Sequence, residues 1–357
     1  MTQDLKVGIV GYGFATRTFH APLVAAVPGL ALTAIASSDP AKVTRDWPGL
    51  DTETSPEALF ARPDLDLVVI PTPNASHFPL AQQALAAGKH VVVDKPFTLT
   101  LAEARALKVC ADQAGRVLSV FHNRRHDADF LTVRQLLAEG TLGPVQEFES
   151  HFDRHRPAVR DRWREKADLG GGLWFDLGSH LLDQALQLFG VPEAIGLDLA
   201  WQREGTQADD YFQARLHYGQ TRIVLHASAL VPRPGPRFSI HGTRGSFVKY
   251  GLDVQEDQLK AGLRPPAPGW GVDPLPGTLT VVRDEVAESR VLPSLPGDYP
   301  AYYAALRDAI LGRGANPVPP EQAIQVMGLI ELGRRSCEQR RTLDVKNADL
   351  AFEPTGA

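Results

Sequence analysis

The chain has 357 residues, of which 43% are hydrophobic and 22% charged, and its formal net charge is −5 at pH 7. This length predicts two domains with a sizeable core, and the slight acidity excludes a basic nucleic-acid-binding domain. The two cysteines, Cys110 and Cys337, are too few and too far apart for a disulfide framework or a zinc ribbon.

The N-terminal residues lead almost directly into an apolar stretch and lack the features of a signal peptide. No apolar run approaches the roughly 20 residues that a membrane helix needs. We therefore expect a cytoplasmic protein with no membrane partner.

Short apolar segments alternate with amphipathic segments in the first third of the chain. This alternation predicts a doubly wound α/β domain, a Rossmann fold with a parallel sheet covered on both faces, over residues 1–122. The predicted strands are Leu5–Val10, Leu30–Ser37, Leu65–Ile70, His90–Val93 and Val117–Phe121, and the clearest helices are Pro79–Ala87 and Leu101–Ala114.

Residues 123–357 predict an α+β substrate and oligomerisation domain built on a large, mostly antiparallel sheet. Its open face is expected to be covered by another subunit in a homodimer or homotetramer. Residues 254–277, rich in Pro and Gly, indicate a surface excursion. The predicted helices are Leu131–Glu139, Leu173–Phe189, Tyr299–Leu311 and Pro320–Glu338, and the predicted strands are Val145–His155, Ala194–Gln202, Asp210–Tyr218, Thr221–Leu230, Arg237–His241, Ser246–Tyr250 and Thr278–Arg283.

A glycine-rich turn follows the first predicted strand. Gly11 permits a tight turn, and Gly13 lets the backbone approach a pyrophosphate at a helix N-terminus. The third position of the pattern, usually Gly or Ala, is Thr16, and Pro22 separates the first turn from a helix starting near Ala21. A purely structural turn is the alternative, but the position after the first strand favours a nicotinamide dinucleotide bound by Gly11, Gly13, Phe14, Ala15 and Thr16.

The tip of the second predicted strand selects between the two nicotinamide dinucleotides. An acidic residue at this tip would bond the ribose of NAD(H) and repel a 2′-phosphate. Here the tip carries Ser37 and Ser38, with Lys42 downstream, and these groups suit a phosphate. Asp39 favours NAD(H) if it reads the ribose, but Asp before Pro also caps turns. We therefore expect NADP(H), with NAD(H) as the alternative.

Two further motifs complete the pattern. Asp94-Lys95-Pro96 ends the fourth strand, and the segment from Gly170 to Asp183 reads GGGLWFDLGSHLLD. With the glycine turn and residues 71–74, these motifs resemble the Gfo/Idh/MocA oxidoreductases over essentially the whole chain. The family has Glu where this chain has Asp94, which shortens that acidic arm by one methylene. The resemblance implies that Lys95, Asp176 and His180 are catalytic.

The chemistry of these three residues supports the same roles. Oxidation of an alcohol needs a base for the hydroxyl proton, and the unperturbed pKa of histidine suits His180 for this transfer. Asp176, four residues earlier, would lie on the same helical face and bond the substrate or orient the imidazole. Lys95 would stabilise alkoxide charge. A solvated pair or a helix cap is the plainer interpretation of Asp176 and His180. A metal site formed by these two residues with Asp183 is another alternative, but we expect no metal ion.

Other residues are predicted to line the crevice beside the cofactor. They are Thr72, Pro73, Asn74, His77, Asp94, Lys95, Asn123, Arg124, Trp163 and Arg164. Inter-domain hinge residues and ordinary packing are the alternatives for Asn123, Arg124 and Trp163. Three tyrosines near the C-terminus, Tyr299, Tyr302 and Tyr303, are expected to pack a helix rather than to contact substrate.

The resemblance implies interconversion of an alcohol and a ketone on a polyol, a sugar or a cyclitol such as an inositol. Residues 19–22, Phe-His-Ala-Pro, and the Ser37-Ser38 pair are similar to the NADPH-preferring scyllo-inositol dehydrogenase branch. Three alternatives stay open: an NAD-dependent glycosidase on the same scaffold, a dihydrodiol or bilin reductase, and a cofactor-sensing regulator without turnover.

Overall fold

The computed structural model describes residues 4–166 and 170–346, together with Leu350. By contacts the chain forms two compact units. The first contains residues up to 126 with segments 255–270 and 298–324, and the second contains 127–254, 271–297 and the residues from 325 onward. The domain boundary between residues 122 and 123 stays a prediction. Segments 255–270 and 298–324, which lie beyond that boundary, pack with the first unit.

The first unit contains a six-stranded parallel sheet in the order β3-β2-β1-β4-β5-β6. Four residues of β1 and all four residues of β4 are fully buried or nearly so. This burial on both faces of the sheet explains why the two strands have near-continuous apolar sequences. This is the strand order of a dinucleotide-binding fold. The strands are β1 Leu5–Val10, β2 Leu30–Ala36, β3 Asp51–Glu53, β4 Leu67–Ile70, β5 His90–Val93 and β6 Leu118–Val120.

Helices cover this sheet, and the first α-helix begins at Ala21, where the position of Pro22 led us to expect it. The turn after the glycines is a π-helix, Thr16–His20, and the first α-helix then starts at Ala21 with Pro22 in its first turn. The helices of this part are α1 Ala21–Ala26, α2 Pro40–Asp46, α3 Pro56–Phe60, α4 His77–Ala86 and α5 Leu101–Ala114.

The second unit contains a nine-stranded sheet in the order β14-β13-β12-β11-β7-β10-β9-β8-β15. Every pairing in it is antiparallel except that of β7 with β10. The predicted mixed α/β fold is confirmed. The strands are β7 Val145–His151, β8 Ala194–Ala200, β9 Tyr211–Tyr218, β10 Thr221–Ser228, β11 Phe238–Gly242, β12 Gly245–Lys249, β13 Gly277–Arg283, β14 Val286–Leu292 and β15 Leu343–Asp344.

The remaining helices include one that the sequence analysis missed. Residues 254–277 were expected to form only a surface excursion, but they contain a helix, Gln255–Lys260, in which Gln255 and Leu259 are buried. These helices are α6 Ala128–Ala138, α7 Ser179–Phe189, α8 Gln255–Lys260, α9 Pro300–Ile310 and α10 Pro320–Gln339. None of the helices in the described part of the chain combines the length and apolar character required to cross a membrane.

Candidate functional site

The glycine turn is held by backbone and side-chain hydrogen bonds. Gly11 has a φ of +85° and its N–H donates to the carbonyl of Ala36 over 2.7 Å, which binds the turn to β2. The hydroxyl of Thr16 donates to the carbonyl of Gly11 over 2.7 Å, and Thr16 is almost fully buried. Thr16 therefore closes the turn with a hydrogen bond at the position where the pattern usually has Gly or Ala.

Open space lies beside Gly13. A Cβ placed there would meet no atom of the described residues within 4 Å, and the neighbouring Phe14 is 55% exposed. The backbone at Gly13 is therefore accessible to a ligand. This arrangement fits a pyrophosphate, which needs close approach to the backbone of such a turn.

A pocket of the first unit surrounds Gly13, and four of its five charged lining residues are basic. Two of its cations, Arg17 and Lys42, come from the Rossmann region, and two, Lys260 and Arg264, come from the segment 255–270. Asp46 also lines it, and the guanidinium of Arg17 lies 3.1 Å from that carboxylate. The balance of charge among the lining residues favours a polyanion such as a dinucleotide.

The tip of β2 is organised as a helix cap. Asp39 is the N-cap of α2: its carboxylate accepts from the backbone N–H of Lys42 over 3.3 Å and lies 3.0 Å from the Lys42 ammonium. The hydrogen bond from Lys42 holds the pKa of Asp39 below its ordinary value. The hydroxyl of Ser37 is buried and bonds the backbone of Asp39, whereas Ser38 is exposed. Asp39 thus has the capping role that was the alternative to ribose recognition.

The ends of β4 and β5 are joined through a buried histidine. One ring nitrogen of His77 lies 2.8 Å from the carbonyl of Thr72, and the other lies 2.9 Å from the carbonyl of Pro96. Burial lowers the pKa of His77, so a neutral ring donates to one of these carbonyls at a time. His77 is fully buried and holds together the loops that carry Thr72 and Lys95. Its direct contact with the cofactor stays a prediction.

Asp94 faces a histidine that the sequence analysis did not assign to the site. His20 Nε2 lies 3.6 Å from Asp94 Oδ2, and His20 Nδ1 lies 2.6 Å from the hydroxyl of Tyr303. Burial opposes ionisation of Asp94, but the nearby imidazole of His20 and the charge of Lys95 outweigh it, so the pKa of Asp94 falls to about 2. The shorter acidic arm therefore reaches a partner within its own unit.

The last Rossmann strand ends in a buried 3₁₀ turn, Asn123–His126. The guanidinium of Arg124 lies 3.1 Å from the carboxylate of Glu256 at the start of α8. Contact of Asn123 and Arg124 with the nicotinamide stays a prediction. Glu256, Lys260 and Arg264 were missed because they follow Arg124 by more than a hundred residues in a segment without a clear periodic pattern.

The triple glycine of the second unit permits close packing of backbone and side chains. A Cβ at Gly171 would lie 2.4 Å from the carbonyl oxygen of Lys166. Gly172 has a φ of +97°, and a Cβ there would lie 2.1 Å from the carboxylate of Asp209. That carboxylate accepts from the backbone N–H of Trp174 over 2.7 Å. Burial raises the pKa of Asp209 to about 6, against the effect of this hydrogen bond.

The motif predicted to be catalytic begins in a π-helix, Trp174–Gly178, and continues into α7. Asp176 lies on the π turn and His180 in the first turn of α7, so the helix is continuous through both. That their side chains share one face stays a prediction. Single π turns inside helices are frequent at functional sites. His180 and Asp183 are buried in α7.

Asp176 lies in an arginine-rich pocket of the second unit. Its carboxylate is 3.8 Å from the Nε atom of Arg164, and the Arg164 guanidinium lies 4.5 Å from the centre of the Trp163 ring. Trp163 thus stacks on Arg164, which pairs with Asp176, so these three predicted residues lie together. The pocket is also lined by Arg154, Arg156, Arg162 and Arg203.

The predicted site residues divide between the two units. Those assigned to the dinucleotide from Gly11 to Asn123, together with Lys95, belong to the first unit, whereas Trp163, Arg164, Asp176 and His180 belong to the second. The first set offers an anion-binding turn and basic side chains. The second offers a carboxylate and an imidazole for binding hydroxyls and moving protons.

Comparison with known families matches almost the entire chain. A family model described as the NAD-binding Rossmann fold of the Gfo/Idh/MocA oxidoreductase family matches residues 5–122. A second, described as the C-terminal alpha/beta domain of this oxidoreductase family, matches residues 134–345.

Several proteins are similar along their full length. The uncharacterized oxidoreductase YdgJ of Escherichia coli is 57% identical over 343 residues, which cover 96% of this chain and 99% of that protein. The scyllo-inositol 2-dehydrogenase (NADP(+)) IolW of Bacillus subtilis is 40% identical over 344 residues, covering 96% of each. The solved structure of YPO2259 from Yersinia pestis has a TM-score of 0.94 and 57% identity, covering 97% of this chain and 98% of that one.

Proposed function

Because this chain belongs to the Gfo/Idh/MocA oxidoreductase family, we propose that it is an NADP(H)-dependent enzyme that interconverts an alcohol and a ketone on a polyol, cyclitol or sugar. The observation that carries the proposal is the basic pocket around Gly13. A Rossmann turn that is open to solvent and surrounded by cations suits a dinucleotide with an additional phosphate.

Two observations favour NADP(H) over NAD(H). Asp39 caps α2 and pairs with Lys42, so its carboxylate is engaged within its own turn. Ser38 is exposed, and the ammonium groups of Lys42 and Lys260, each already paired with a carboxylate, have further N–H donors for a 2′-phosphate. The relative IolW is named as an NADP(+)-dependent enzyme, which supports the same choice.

When bound, the nicotinamide ring gives or accepts the hydride. We assign His180 the proton transfer to or from the substrate hydroxyl, because an imidazole titrates near neutral pH. Asp176, paired with Arg164, is a carboxylate that binds a substrate hydroxyl. Lys95 stabilises negative charge that develops on the substrate oxygen. Asp94, ionised and held by His20, keeps the loop of Lys95 in place.

The proposed substrate class rests on the second pocket and on one relative. Asp176 and the arginines beside it are hydrogen-bonding groups suited to a compact, highly hydroxylated molecule. IolW is named for scyllo-inositol, and we propose an inositol and its inosose as the first pair to test.

Separate fluorescence titrations with NADPH and NADH test the cofactor. Trp47 lines the pocket around Gly13 and serves as an internal reporter, and Trp47→Phe is the control for its contribution. We expect tighter binding of NADPH. Tighter binding of NADH would contradict the phosphate assignment, and no binding of either would contradict the whole proposal.

An NADPH-linked screen of inososes and keto sugars tests the reaction. Oxidation of NADPH with reduction of the ketone is the expected result. Hydrolysis of a glycoside with no net change of cofactor would support the glycosidase alternative instead. Cofactor binding without turnover on any polyol or ketone would favour a regulator.

We also propose that the protein is a homodimer or homotetramer. At the β13–β14 edge, Val282 and Val291 lie on one face of the sheet and are 45% and 65% exposed, and Val286 on the other face is 60% exposed. Apolar side chains exposed at a sheet edge favour burial by a second copy. Light scattering at micromolar concentration should give a mass at least twice 38.9 kDa, and a monomeric mass would contradict the proposal.

A further inference from the structure

Strand register brings two histidines and an aspartate together on one face of the second sheet. His151 of β7 is directly paired with His226 of β10 in the parallel ladder, so their side chains point to the same face. Asp153 follows His151 by two residues, and Phe152 between them is buried on the other face. The cluster therefore results from strand pairing rather than from chance proximity of flexible side chains.

The distances between these groups fit a metal centre. His226 Nδ1 lies 2.9 Å from Asp153 Oδ1, and His151 Nδ1 lies 3.7 Å from Asp153 Oδ2. One ligand atom from each of the three residues lies within 4.8 Å of the others. Two ligands bound tetrahedrally to zinc at about 2.0–2.1 Å are about 3.3 Å apart. The observed distances lie on either side of that value, so small side-chain rotations would satisfy it.

Neighbouring groups orient the candidate ligands. His151 Nε2 lies 3.1 Å from the carboxylate of Glu149, and donation through Nε2–H leaves Nδ1 as the ligand atom. Metal-binding histidines commonly donate their second ring N–H to a carboxylate in this way. Asp153 Oδ1 accepts from the backbone N–H of Ser228 over 3.1 Å, which fixes the carboxylate.

The carboxylates in and beside the cluster favour the binding of a cation. Two carboxylates beside two imidazoles can offset a divalent charge. The side chains of His151 and His226 are 23% and 14% exposed in the single chain.

We propose that His151, Asp153 and His226 form a binding site for one divalent transition-metal ion, with Zn²⁺ as the expected occupant. Two imidazoles and one carboxylate are donors suited to zinc, with water as the fourth ligand. Glu149 is a positioning residue that acts through His151. The proposal is independent of the cofactor and substrate assigned above.

The test is a Zn²⁺ titration of chelator-treated protein against a chromophoric competitor. We expect one Zn²⁺ per chain. His151→Asn and His226→Asn should each weaken binding by at least about 100-fold, and Glu149→Gln by about 10-fold. His241→Asn is the matched control: His241 lies on β11 of the same sheet, is exposed and contacts Ser239 and Ser246. It should leave Zn²⁺ affinity unchanged.

A stoichiometric Zn²⁺ site unaffected by His151→Asn and His226→Asn would overturn the proposal, as would the absence of a one-to-one site. NADPH titration and circular dichroism identify variants that have lost their fold. If both histidine variants unfold, Co²⁺ absorption of the unchanged chain decides: ligand-field bands that saturate at one equivalent support the site, and their absence overturns it.

Discussion

His20 connects Asp94 to Tyr303, with one ring nitrogen 3.6 Å from the Asp94 carboxylate and the other 2.6 Å from the tyrosine hydroxyl. Its ring also packs on Phe121, with centroids 4.4 Å apart. The acidic residue before Lys95 is thus held by the helix that follows the glycine turn. The loop that carries Lys95 and the helix that follows the glycine turn therefore share one buried polar contact.

We predict that Asp94→Asn makes stability less dependent on acid pH. The folded pKa of Asp94 is about 2, below its ordinary value near 3.8. Its ionisation therefore stabilises the fold above about pH 4, and this contribution, about 2 kcal/mol, is lost as pH falls towards 2. Urea unfolding at pH 7 and pH 3 measures it.

The variant should be less stable at pH 7, with a smaller deficit at pH 3. Asp257→Asn, at an exposed position of α8, is the control and should change neither value appreciably. An equal deficit of Asp94→Asn at both pH values would show that His20 and Lys95 do not set the titration of Asp94.

We predict that His180→Ala lowers turnover by about 10²–10⁴-fold, the usual contribution of a positioned acid or base. NADPH affinity should change little, because His180 is assigned to proton transfer and not to the dinucleotide. Steady-state turnover and NADPH titration of the same preparation separate the effects. His241→Ala, at an exposed position of β11, controls for the loss of an imidazole elsewhere. Unaltered turnover in His180→Ala would refute its role.

We predict that Lys42→Ala and Arg264→Ala each weaken NADPH binding by about 5- to 20-fold, because each removes a charge-assisted contact to phosphate. NADH affinity should be less affected by Lys42→Ala, since NADH lacks the 2′-phosphate. Arg45→Ala is the control, because this arginine of α2 is exposed and lies outside the pocket lining.

Asp39→Ala separates the two interpretations of that residue. A cap lost from α2 destabilises the fold by about 1 kcal/mol and leaves the cofactor preference intact. A selective loss of NADH affinity would instead mean that Asp39 reads the ribose.

We predict that Gly172→Ala lowers the free energy of unfolding by about 3 kcal/mol and reduces turnover. The new methyl group would meet the Asp209 carboxylate in addition to the cost of a positive φ. Gly205→Ala is matched, because Gly205 also has a positive φ but faces open space among the described residues. Its cost should stay near 1 kcal/mol. Equal losses in the two variants would remove Asp209 from the explanation.

Apolar patterns predicted the strands of the Rossmann sheet well, because buried parallel strands are short and continuously apolar. The bounds of Leu5–Val10 and His90–Val93 agree with the structure. The short β3, Asp51–Glu53, and the exposed β14, Val286–Leu292, were missed because neither buries an apolar face. A hydrophobic pattern therefore gives little information about strands whose side chains are only slightly buried.

The motifs predicted the candidate site residues. The contacts of these residues could not be predicted, because they depend on packing between distant parts of the chain. Nothing in the sequence near Asp94 indicates His20 as its partner, and α8 carries no signal that directs Lys260 to Gly13. The two π-helices were likewise not predicted, because periodicity over five residues does not separate a π turn from an α turn. The His151–His226 pairing depends on the register of two strands more than seventy residues apart.

Residues 298–324, the last segment of the first unit, complete the packing around its Rossmann sheet. Strand β6 is flanked by residues from far along the chain: the Val120 N–H donates to the carbonyl of Val318, and Asn316 donates to the carbonyl of Leu118. Tyr302 and Tyr303, both fully buried, cover Phe121. A fragment ending at residue 122 would expose an unpaired strand edge and an aromatic patch. Expressed alone, this Rossmann fragment should therefore self-associate, and adding residues 298–324 in trans should restore its solubility.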